Sequence, residues 1–434
     1  MKPFQIIVLL VFGVFLVIGV LIFSGIIKLP GGGDNSGVSG EVVIWGTLPS
    51  SYFDKLFNDF NLAHQKESFS VRYIEKDKAT FDNDLVEAIA ASVGPDLVFL
   101  PQDLILRHVS KIYPLPLTTI SERDFKDMFI EEGELFFFNG NAIAIPFTID
   151  PIMLYWNRDS FSASGFSKPP QYWEEFMAIV PQLTTKDSAT NITKSALAFG
   201  ESKNILNAKD ILSMLIMQAG SKIVAYSPEK GVEVSLGQNN TSGLRAGEAA
   251  LQFYTEFSNP VKQHYSWNKS LPSSRNMFLS GDLAMYFGYA SEILDLRARN
   301  PHLNFDVAMV PQSKGVNKKI TFGRMHGLAA LKSSKNLTTA LYVEVLLSQA
   351  DFMKNIPERS YLPPTRRDLL QTRPSDPYLS IFYDSAIISN AWLDPAPKET
   401  TAIFAGMIDN VVSGRFRPQE AVSDTASQLE KFVK

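Results

Sequence analysis

Between residues 41 and 100, short apolar runs alternate with amphipathic stretches, and this alternation constrains the fold more than any other feature of the chain. Runs rich in β-branched and apolar residues predict strands, whereas apolar residues spaced three and four apart predict helices. The predicted order is strand Glu41–Trp45, helix Tyr52–Gln65, strand Phe69–Ile74, helix Thr80–Ser92 and strand Leu97–Leu100. Strands that alternate with helices in this way indicate an α/β fold with a largely parallel sheet.

The rest of the chain continues the mixed pattern. Asn141–Phe147 predicts a strand that Pro146 interrupts, and Met153–Trp156 predicts a further strand. The remaining periodic segments predict helices at Tyr172–Val180, Ile211–Ala219, Gly243–Phe257 and, with a break at Gly414–Pro418, Thr400–Lys434.

Composition excludes several classes of function. The 434 residues include 41 Lys plus Arg, 45 Asp plus Glu and no cysteine. With a net charge of −4, the chain lacks the excess of basic residues that is typical of nucleic-acid-binding proteins. The absence of cysteine excludes disulfides, thiolate metal sites and a lipid-modified cysteine. No metal-binding histidine spacing, phosphate loop or nucleophile elbow occurs. We therefore expect no catalytic residue, cofactor or metal, although a pair of glycosidase carboxylates leaves no sequence signature.

The N-terminal segment is apolar and uncharged from Phe4 to Ile27, with Lys2 and Lys28 on either side. This run is long enough to span a bilayer and longer than the apolar part of a cleaved signal peptide. We predict a retained transmembrane signal-anchor at residues 4–27 and a flexible linker at residues 28–40. The folded part would then lie on the extracytoplasmic side of the cell membrane.

Six separated stretches carry a family resemblance. They are EVVIWGTLPSSYFDKLFNDF, GPDLVFLPQDL followed by IYPLP, AIAIPFTIDPIMLYWNRDSFSASGFSKPPQYWEEF, NMFLSGDLAMYFGYASEIL, VAMVPQSKG with TFGRMHGLAALKSSKN, and SGRFRPQEAVSDTASQLEKF. In this order and spacing they resemble the family 1 extracellular solute-binding proteins of ABC importers, the maltose-binding-protein-like group. The resemblance covers nearly all of residues 41–434.

The resemblance implies a periplasmic-binding-protein-like fold, in which a hinge joins two α/β lobes and ligand binds in the cleft between them. The implied crossings lie near Phe147–Pro151, near Pro311–Ile320 and after Pro363–Arg367. The implied N-terminal lobe is 41–148 with 318–367, and the C-terminal lobe is 149–317 with 368–434. Such proteins pass their ligand to an ABC transporter permease. The predicted membrane helix departs from the family's usual lipid anchor, so a sensor or adhesion module on the same fold is an alternative.

Carbohydrate sites combine aromatic surfaces with planar polar groups, and ligands of open α/β sheets bind at the carboxyl ends of strands. Trp45 and Thr47 follow the first predicted strand and Asp103 follows the third. The alternative roles are an edge position in the core for Trp45 and a helix N-cap for Asp103. Trp267 and Trp392 are candidates for the rim of the cleft.

Other candidates follow from the resemblance. Asp150 lies at the first implied crossing, where a turn aspartate is the alternative role. Arg324 and His326 occupy the TFGRMHG segment, and the alternative role of Arg324 is an interlobe salt bridge. After the GDLAM strand, Tyr289 is the candidate aromatic platform with Phe287 behind it, and Gly288 would allow close approach of the backbone. The remaining candidates are Trp156 and, near the start of the Ile211 helix, Asn204.

Together these features predict a membrane-anchored binding protein for a sugar or oligosaccharide. Peptides, polyols or an anionic sugar that engages Arg324 are alternative ligands, and a surface glycoside-active enzyme is the alternative activity.

Overall fold

A computed structural model describes residues 37–239, 243, 245–316 and 318–433. The strands are β1 (Gly40–Gly46), β2 (Phe69–Glu75), β3 (Leu97–Pro101), β4 (Ile112–Tyr113), β5 (Phe137–Phe138), β6 (Asn141–Ala142), β7 (Ile145–Asn157), β8 (Thr185–Lys186), β9 (Ile192–Leu197), β10 (Val224–Ser227), β11 (Gly231–Val234), β12 (Leu283–Tyr289), β13 (Phe305–Ala308), β14 (Thr321–Leu331) and β15 (Ser389–Asn390).

The α-helices are α1 (Asp54–Ala63), α2 (Phe81–Ala90), α3 (Ile105–His108), α4 (Glu122–Met128), α5 (Arg158–Ala163), α6 (Trp173–Leu183), α7 (Ala208–Gln218), α8 (Ala246–Glu256), α9 (Ser274–Leu279), α10 (Glu292–Arg299), α11 (Leu337–Leu347), α12 (Ala350–Met353), α13 (Pro357–Ser360), α14 (Arg367–Leu370), α15 (Pro377–Ile387), α16 (Pro397–Val412) and α17 (Pro418–Leu429). Short 3-10 turns include Gln102–Leu104 and Glu131–Phe136.

One mixed sheet runs through the molecule in the order β2, β1, β3, β14, β7, β12, β9, β8. β1 pairs in parallel with β2 and with β3, which confirms the α/β pattern predicted for residues 41–100. β14 is antiparallel to both β3 and β7, and β7 is antiparallel to β12. The two long strands β7 and β14 therefore lie side by side at the centre of the sheet.

The apolar side chains form two cores. Strands β1 to β3 and helices α1 and α2 enclose the first, whereas the second lies around helices α6 to α8 and strand β12. We call the parts of the chain built on these cores the first and second lobes. β7 and β14 contribute to both, since Ile149 and Met325 lie in the first core and Leu154 and Phe322 in the second. The lobe boundaries inferred from the resemblance stay predictions.

The central strands differ from the sequence prediction. Pro146 does not interrupt a strand, because β7 runs unbroken from Ile145 to Asn157 and includes Pro151 as well. Pro146 lies opposite Gly327, and the register of the two strands shifts between His326 and Gly327. Proline has no backbone N–H to donate, and such a residue is tolerated where the pairing is irregular. The aromatic segment placed after the GDLAM strand is instead the end of β12.

The predicted membrane segment at residues 4–27 lies outside the described residues. Within residues 37–239, 243, 245–316 and 318–433, no helix has the length and apolar character needed to cross a bilayer.

Candidate ligand-binding cleft

A cavity of about 1140 Å³ lies between the two lobes. Thr47, Lys78 and Asp103 line it from the first lobe, just after the ends of β1, β2 and β3 respectively. The carboxyl ends of parallel strands meet at one edge of a sheet, which is why three separate loops supply one wall. The N-terminal part of α7 and the segment around Trp392 line the cavity from the second lobe.

The central strand β14 forms another wall of the cavity. Phe322, Arg324 and His326 line the void, whereas Met325 is fully buried in the first core. Successive side chains of a strand point to opposite faces, so this alternation follows from the backbone geometry. The TFGRMHG segment thus presents one polar face to the cavity and one apolar face to the core.

Arg324 belongs to a compact cluster with Asp210 of α7 and Tyr289 of β12. Its Nη2 donates to Asp210 Oδ2 at 2.6 Å, and the same oxygen accepts from the Tyr289 hydroxyl at 2.6 Å. The guanidinium carbon lies 3.9 Å from the centre of the Tyr289 ring, which adds a cation–π contact. Burial opposes the ionisation of Asp210, but Arg324 and Lys209 outweigh it and hold the pKa of this carboxyl below its ordinary value.

Asp150 lies opposite Arg324 in the β7–β14 ladder. Its two carboxylate oxygens accept from the Ser291 backbone N–H at 2.9 Å and from the Ser291 hydroxyl at 2.6 Å. Burial raises the pKa of Asp150 to about 6, although the bonds from Ser291 and the charge of Arg324 act in the other direction. Asp150 therefore joins the central strand to the turn before α10.

A second ion pair joins Lys209 of α7 to Asp394. Asp394 also accepts from the Thr400 hydroxyl at 2.8 Å, and Lys209 donates to that hydroxyl oxygen at 2.9 Å. The Lys209 ammonium lies 5.3 Å from the ring centre of Trp392, whose indole N–H donates to the Ser213 hydroxyl at 3.2 Å. These contacts fix an aromatic ring in the cavity wall.

Lys78, Asp103 and His326 line the same cavity, and the structure gives their side chains no hydrogen bond or ion pair. Repulsion from Arg324, followed by burial, lowers the pKa of Lys78. Burial, followed by the charge of Asp394, raises the pKa of Asp103. Burial, together with Lys78 and Arg324, lowers the pKa of His326 to about 3, so its ring is neutral at physiological pH. One cation, one carboxyl group and one neutral imidazole are thus free to bind a ligand.

The charged side chains that line the cavity nearly balance each other, since six are basic and five are acidic. Arg324 and Lys209 are neutralised by Asp210 and Asp394, and the free groups Lys78 and Asp103 carry opposite charges. Such a site offers hydrogen-bond donors and acceptors without a strong field of one sign. It suits an uncharged ligand that has many hydroxyl groups.

The structure brings together part of the candidate set from the sequence. Thr47, Asp103, Arg324, His326 and Trp392 all line the cavity. The other candidates are not among the lining residues: Trp45, Asp150, Trp156, Asn204, Trp267, Phe287, Gly288 and Tyr289. Of these, Asp150 and Tyr289 lie beside Arg324, behind the cavity wall.

Three aromatic candidates belong to the second core instead. Trp267 is fully buried and donates its indole N–H to Asn204 Oδ1 at 3.0 Å, so Asn204 anchors a loop. Trp156 packs on the ring of Phe161, and Phe287 stacks on Trp173. These side chains are large and apolar, and the second core buries them.

Two further candidates have structural surroundings. Trp45 carries the Lys76 ammonium 3.6 Å above its ring, and its indole packs against the first core. A Cβ at Gly288 would lie 2.4 Å from Tyr286, so the glycine permits close packing of that tyrosine. The alternative role of Arg324, an interlobe salt bridge, stays a prediction, since the observed ion pair joins the shared strand β14 to Asp210 of the second lobe.

Sequence reasoning missed several charged residues of the cavity, among them Lys78, Lys209, Asp210 and Asp394. A signal for Lys78 was available, because it follows β2 at the same sheet edge as Thr47 and Asp103. The other three lie on a helix and a loop that only the tertiary structure brings to the cavity. Among the described residues, no group of acidic and histidine side chains could hold a metal ion.

Two lobes that share central strands and enclose a polar cleft define a binding protein of the periplasmic-binding-protein type. The family model for bacterial extracellular solute-binding proteins matches residues 55–375, and the chain belongs to this family. Full-length relatives include proteins of Brucella abortus (strain 2308) and Brucella suis biovar 1 (strain 1330) that are named as binding proteins. Each is 20% identical over 425 residues and covers 96% of this chain and 98% of the relative.

Solved structures share the fold at low sequence identity. A cyclo/maltodextrin-binding protein complexed with maltotetraose has a TM-score of 0.72 at 16% identity, covering 90% of this chain and 96% of that one. The cyclic α-maltosyl-1,6-maltose binding protein from Arthrobacter globiformis has a TM-score of 0.74 at 14% identity, covering 90% and 97%. The Thermus thermophilus maltotriose binding protein has a TM-score of 0.65 at 17% identity, covering 91% and 100%. The resemblance drawn from the six sequence stretches is confirmed.

Proposed function

We propose that this protein captures an uncharged oligosaccharide in the interlobe cavity and delivers it to an ABC transporter permease. The observation that carries the proposal is the charge-balanced cavity, in which Lys78, Asp103 and His326 are free to bond hydroxyl groups. Trp392 and Phe322 add apolar surface to the same walls. Sugars present both hydroxyls and C–H faces, so this combination suits them.

The size of the cavity favours a ligand of more than one sugar ring. Pockets for small molecules span roughly 300–1,000 Å³, and this cavity is about 1140 Å³. Solved structures with the same fold include complexes with maltotetraose, maltotriose and mannotriose. An anionic sugar held by Arg324 is disfavoured because Asp210 already neutralises that guanidinium.

The place of action is part of the proposal. The uncharged segment at residues 4–27 would anchor the protein in the cell membrane, with the cleft on the extracytoplasmic side. When a solute-binding protein is held close to its permease, the ligand-bound protein does not have to diffuse to reach that permease. The part of the predicted linker that precedes Ser39 and β1 would supply the reach.

Isothermal titration of the purified protein against maltotriose, maltotetraose and mannotriose tests the proposal. Trigalacturonic acid and a tripeptide serve as charged and non-sugar controls. We expect one neutral oligosaccharide to bind without turnover, and Asp103→Asn to weaken its binding about tenfold or more, since bonds to charged groups contribute about 1.5–3 kcal/mol. The exposed Asp351→Asn on α12 is the matched control. Binding of the acid or the peptide alone would contradict the proposal, and turnover of the sugar would indicate an enzyme.

A further inference from the structure

Two β-hairpins, one from each lobe, meet beside the cavity. The first is β5–β6, which is bonded to the first lobe through Leu115 N–H and Ala142 O at 2.8 Å. The second is β10–β11, whose Val224 is buried in the second core. Tyr226 belongs to the second hairpin, yet it packs against the first core. A contact between the lobes therefore exists away from the shared strands β7 and β14.

The contact uses both hydrogen-bonding functions of one hydroxyl group. The Tyr226 hydroxyl accepts from the backbone N–H of Asn139 at 2.9 Å and donates to Asn139 Oδ1 at 2.6 Å. The Tyr226 ring stacks on Phe138 with centroids 4.4 Å apart and an interplanar angle of 27°. Two hydrogen bonds and one ring stack thus hold the two hairpins together.

The turn of the first hairpin is built for this contact. Asn139 and Gly140 have φ values of 52° and 73°, as the two central residues of a type I′ turn require. The N–H of the first central residue has no partner inside such a turn, so it is free to bond Tyr226. The turn therefore fixes the orientation of Asn139 independently of its contact with the second lobe.

This contact between the hairpins lies at the edge of the cavity, but its two hydrogen-bonded residues do not line the cavity. Phe138, Lys230 and Gly231 line the cavity, whereas Asn139 and Tyr226 do not. Separation of the lobes would break all three interactions at once, since each has one partner in each lobe. The contact therefore favours the closed arrangement over one in which the lobes are apart.

We propose that the Tyr226–Asn139 contact is a closure clasp that stabilises the arrangement in which the two lobes enclose the cavity. The clasp sets ligand affinity through the population of the closed state, because affinity scales with the fraction of protein that is competent to bind. This role does not depend on which ligand binds, and it can be tested on the protein without any ligand.

The absence of native cysteine allows site-specific spin labels. Val93→Cys in the first lobe and Val261→Cys in the second replace side chains that are 69% and 89% exposed. Double electron–electron resonance on the doubly labelled full chain then gives the distribution of interlobe distances. We expect part of the population at the interlobe distance found in the structure.

In this labelled background, Tyr226→Ala removes the stack and both hydrogen bonds. We expect the ratio of closed to separated molecules to fall by about fivefold or more. Tyr226→Phe keeps the ring and gives a smaller fall, and Asn139→Gly on the opposite hairpin, where φ favours glycine, gives a fall of about twofold. Tyr113→Ala, at an exposed tyrosine of β4, is the control and leaves the ratio unchanged.

Circular dichroism and the thermal midpoint establish whether each variant is folded. If Tyr226→Ala does not fold, the Asn139→Gly variant is used for the comparison instead. An unchanged distance distribution in the folded variants would overturn the proposal. It would equally be overturned by a parent protein whose lobes do not populate the distance found in the structure. Neither result bears on which sugar binds.

Discussion

Lys78 illustrates how a single side chain gains a role from what surrounds it. The other central cations of the cavity, Lys209 and Arg324, each have a carboxylate partner. Lys78 is exposed to the cavity, and the structure gives its ammonium no hydrogen bond or ion pair. Its three N–H donors are therefore free for ligand hydroxyls.

Lys78→Met should weaken binding of the oligosaccharide by about tenfold, because it removes these charged donors while it keeps most of the side-chain length. The matched control is Lys76→Met in the same loop, since Lys76 lies over the Trp45 ring and does not line the cavity. Titration calorimetry on both variants measures the difference. Equal affinities for the two variants would remove Lys78 from the site.

Glu132 is a buried carboxyl group in the first lobe, and neither of its oxygens has a hydrogen-bond partner. Burial raises the pKa of Glu132 well above its ordinary value of 4.5. Below that value the folded and unfolded forms are both protonated. As pH rises further, the unfolded chain releases the proton while the folded chain keeps it. The free energy of unfolding then falls by about 1.4 kcal/mol per pH unit until the folded pKa is passed.

Glu132→Gln should remove this pH-dependent loss. The free energy of unfolding of the variant relative to the parent should therefore rise between pH 5 and pH 8, whatever the cost of the buried amide itself. Urea unfolding at both pH values measures the difference, and Glu131→Gln, at an exposed carboxylate of the same turn, is the control. Parallel pH profiles for parent and Glu132→Gln would show that Glu132 is not the responsible group.

The residue types in the cleft were easier to predict than their surroundings. Asp103 follows a buried strand at the ligand edge, and that local pattern was enough to place it. Nothing in the local sequence separates Trp267 from Trp392, and both belong to the second core, but only Trp392 also lines the cavity. The difference depends on long-range packing, which the local sequence does not encode.

At the scale of elements, β14 depends on glycines where other parts of the molecule approach its backbone. A Cβ at Gly327 would lie 2.7 Å from the Phe136 ring and 2.9 Å from Ala144 Cβ. Gly406 in α16, by contrast, has no heavy atom within 4 Å of such a Cβ. The two sites therefore respond oppositely to the same added methyl group.

Gly327→Ala should lower the free energy of unfolding by about 1–3 kcal/mol through overpacking. Gly406→Ala should raise it by about 0.5–1 kcal/mol, since alanine is the better helix former. Urea denaturation of the two variants and the parent provides the comparison. A stabilised Gly327→Ala would mean that β14 can shift away from Phe136 without loss.

The elements of residues 41–100 were predicted well because each is a local pattern of apolar spacing. β7 was predicted as two pieces because proline removes a ladder donor in most strands. At Pro146 the carbonyl accepts from the Thr365 hydroxyl at 2.7 Å, and the register shifts beside it. The tolerance to a missing donor depends on the pairing of β7 with β14, which is distant in the chain, so no local signal could reveal it.

At the scale of the whole molecule, β7 and β14 run through both cores and join them. Asp210 and Arg324 are 114 positions apart, and Lys209 and Asp394 are 185 positions apart, yet all four line one cavity. The cleft is therefore a product of the chain crossing between lobes. Its stability should depend on both cores at once.

This sharing predicts that the two lobes unfold in one transition. If the first core melts, β14 loses its partner β3 and the second core loses the support of its central strands. Phe99, in the first core, contacts the rings of Phe53 and Phe147 at 5.1 and 4.7 Å. Phe99→Ala should therefore cost about 3–5 kcal/mol and shift the unfolding of both lobes together.

Two probes can separate the lobes in a Trp45→Phe background. The four remaining tryptophans then report on the second core, and a fluorophore on Val93→Cys reports on the first lobe. Both signals should move to lower urea by the same amount in Phe99→Ala, because the shared strands transmit the loss. If the label moved and the tryptophans did not, the strands would be a flexible connection between two independent folding units, and the cleft would owe its geometry to ligand and clasp rather than to the sheet.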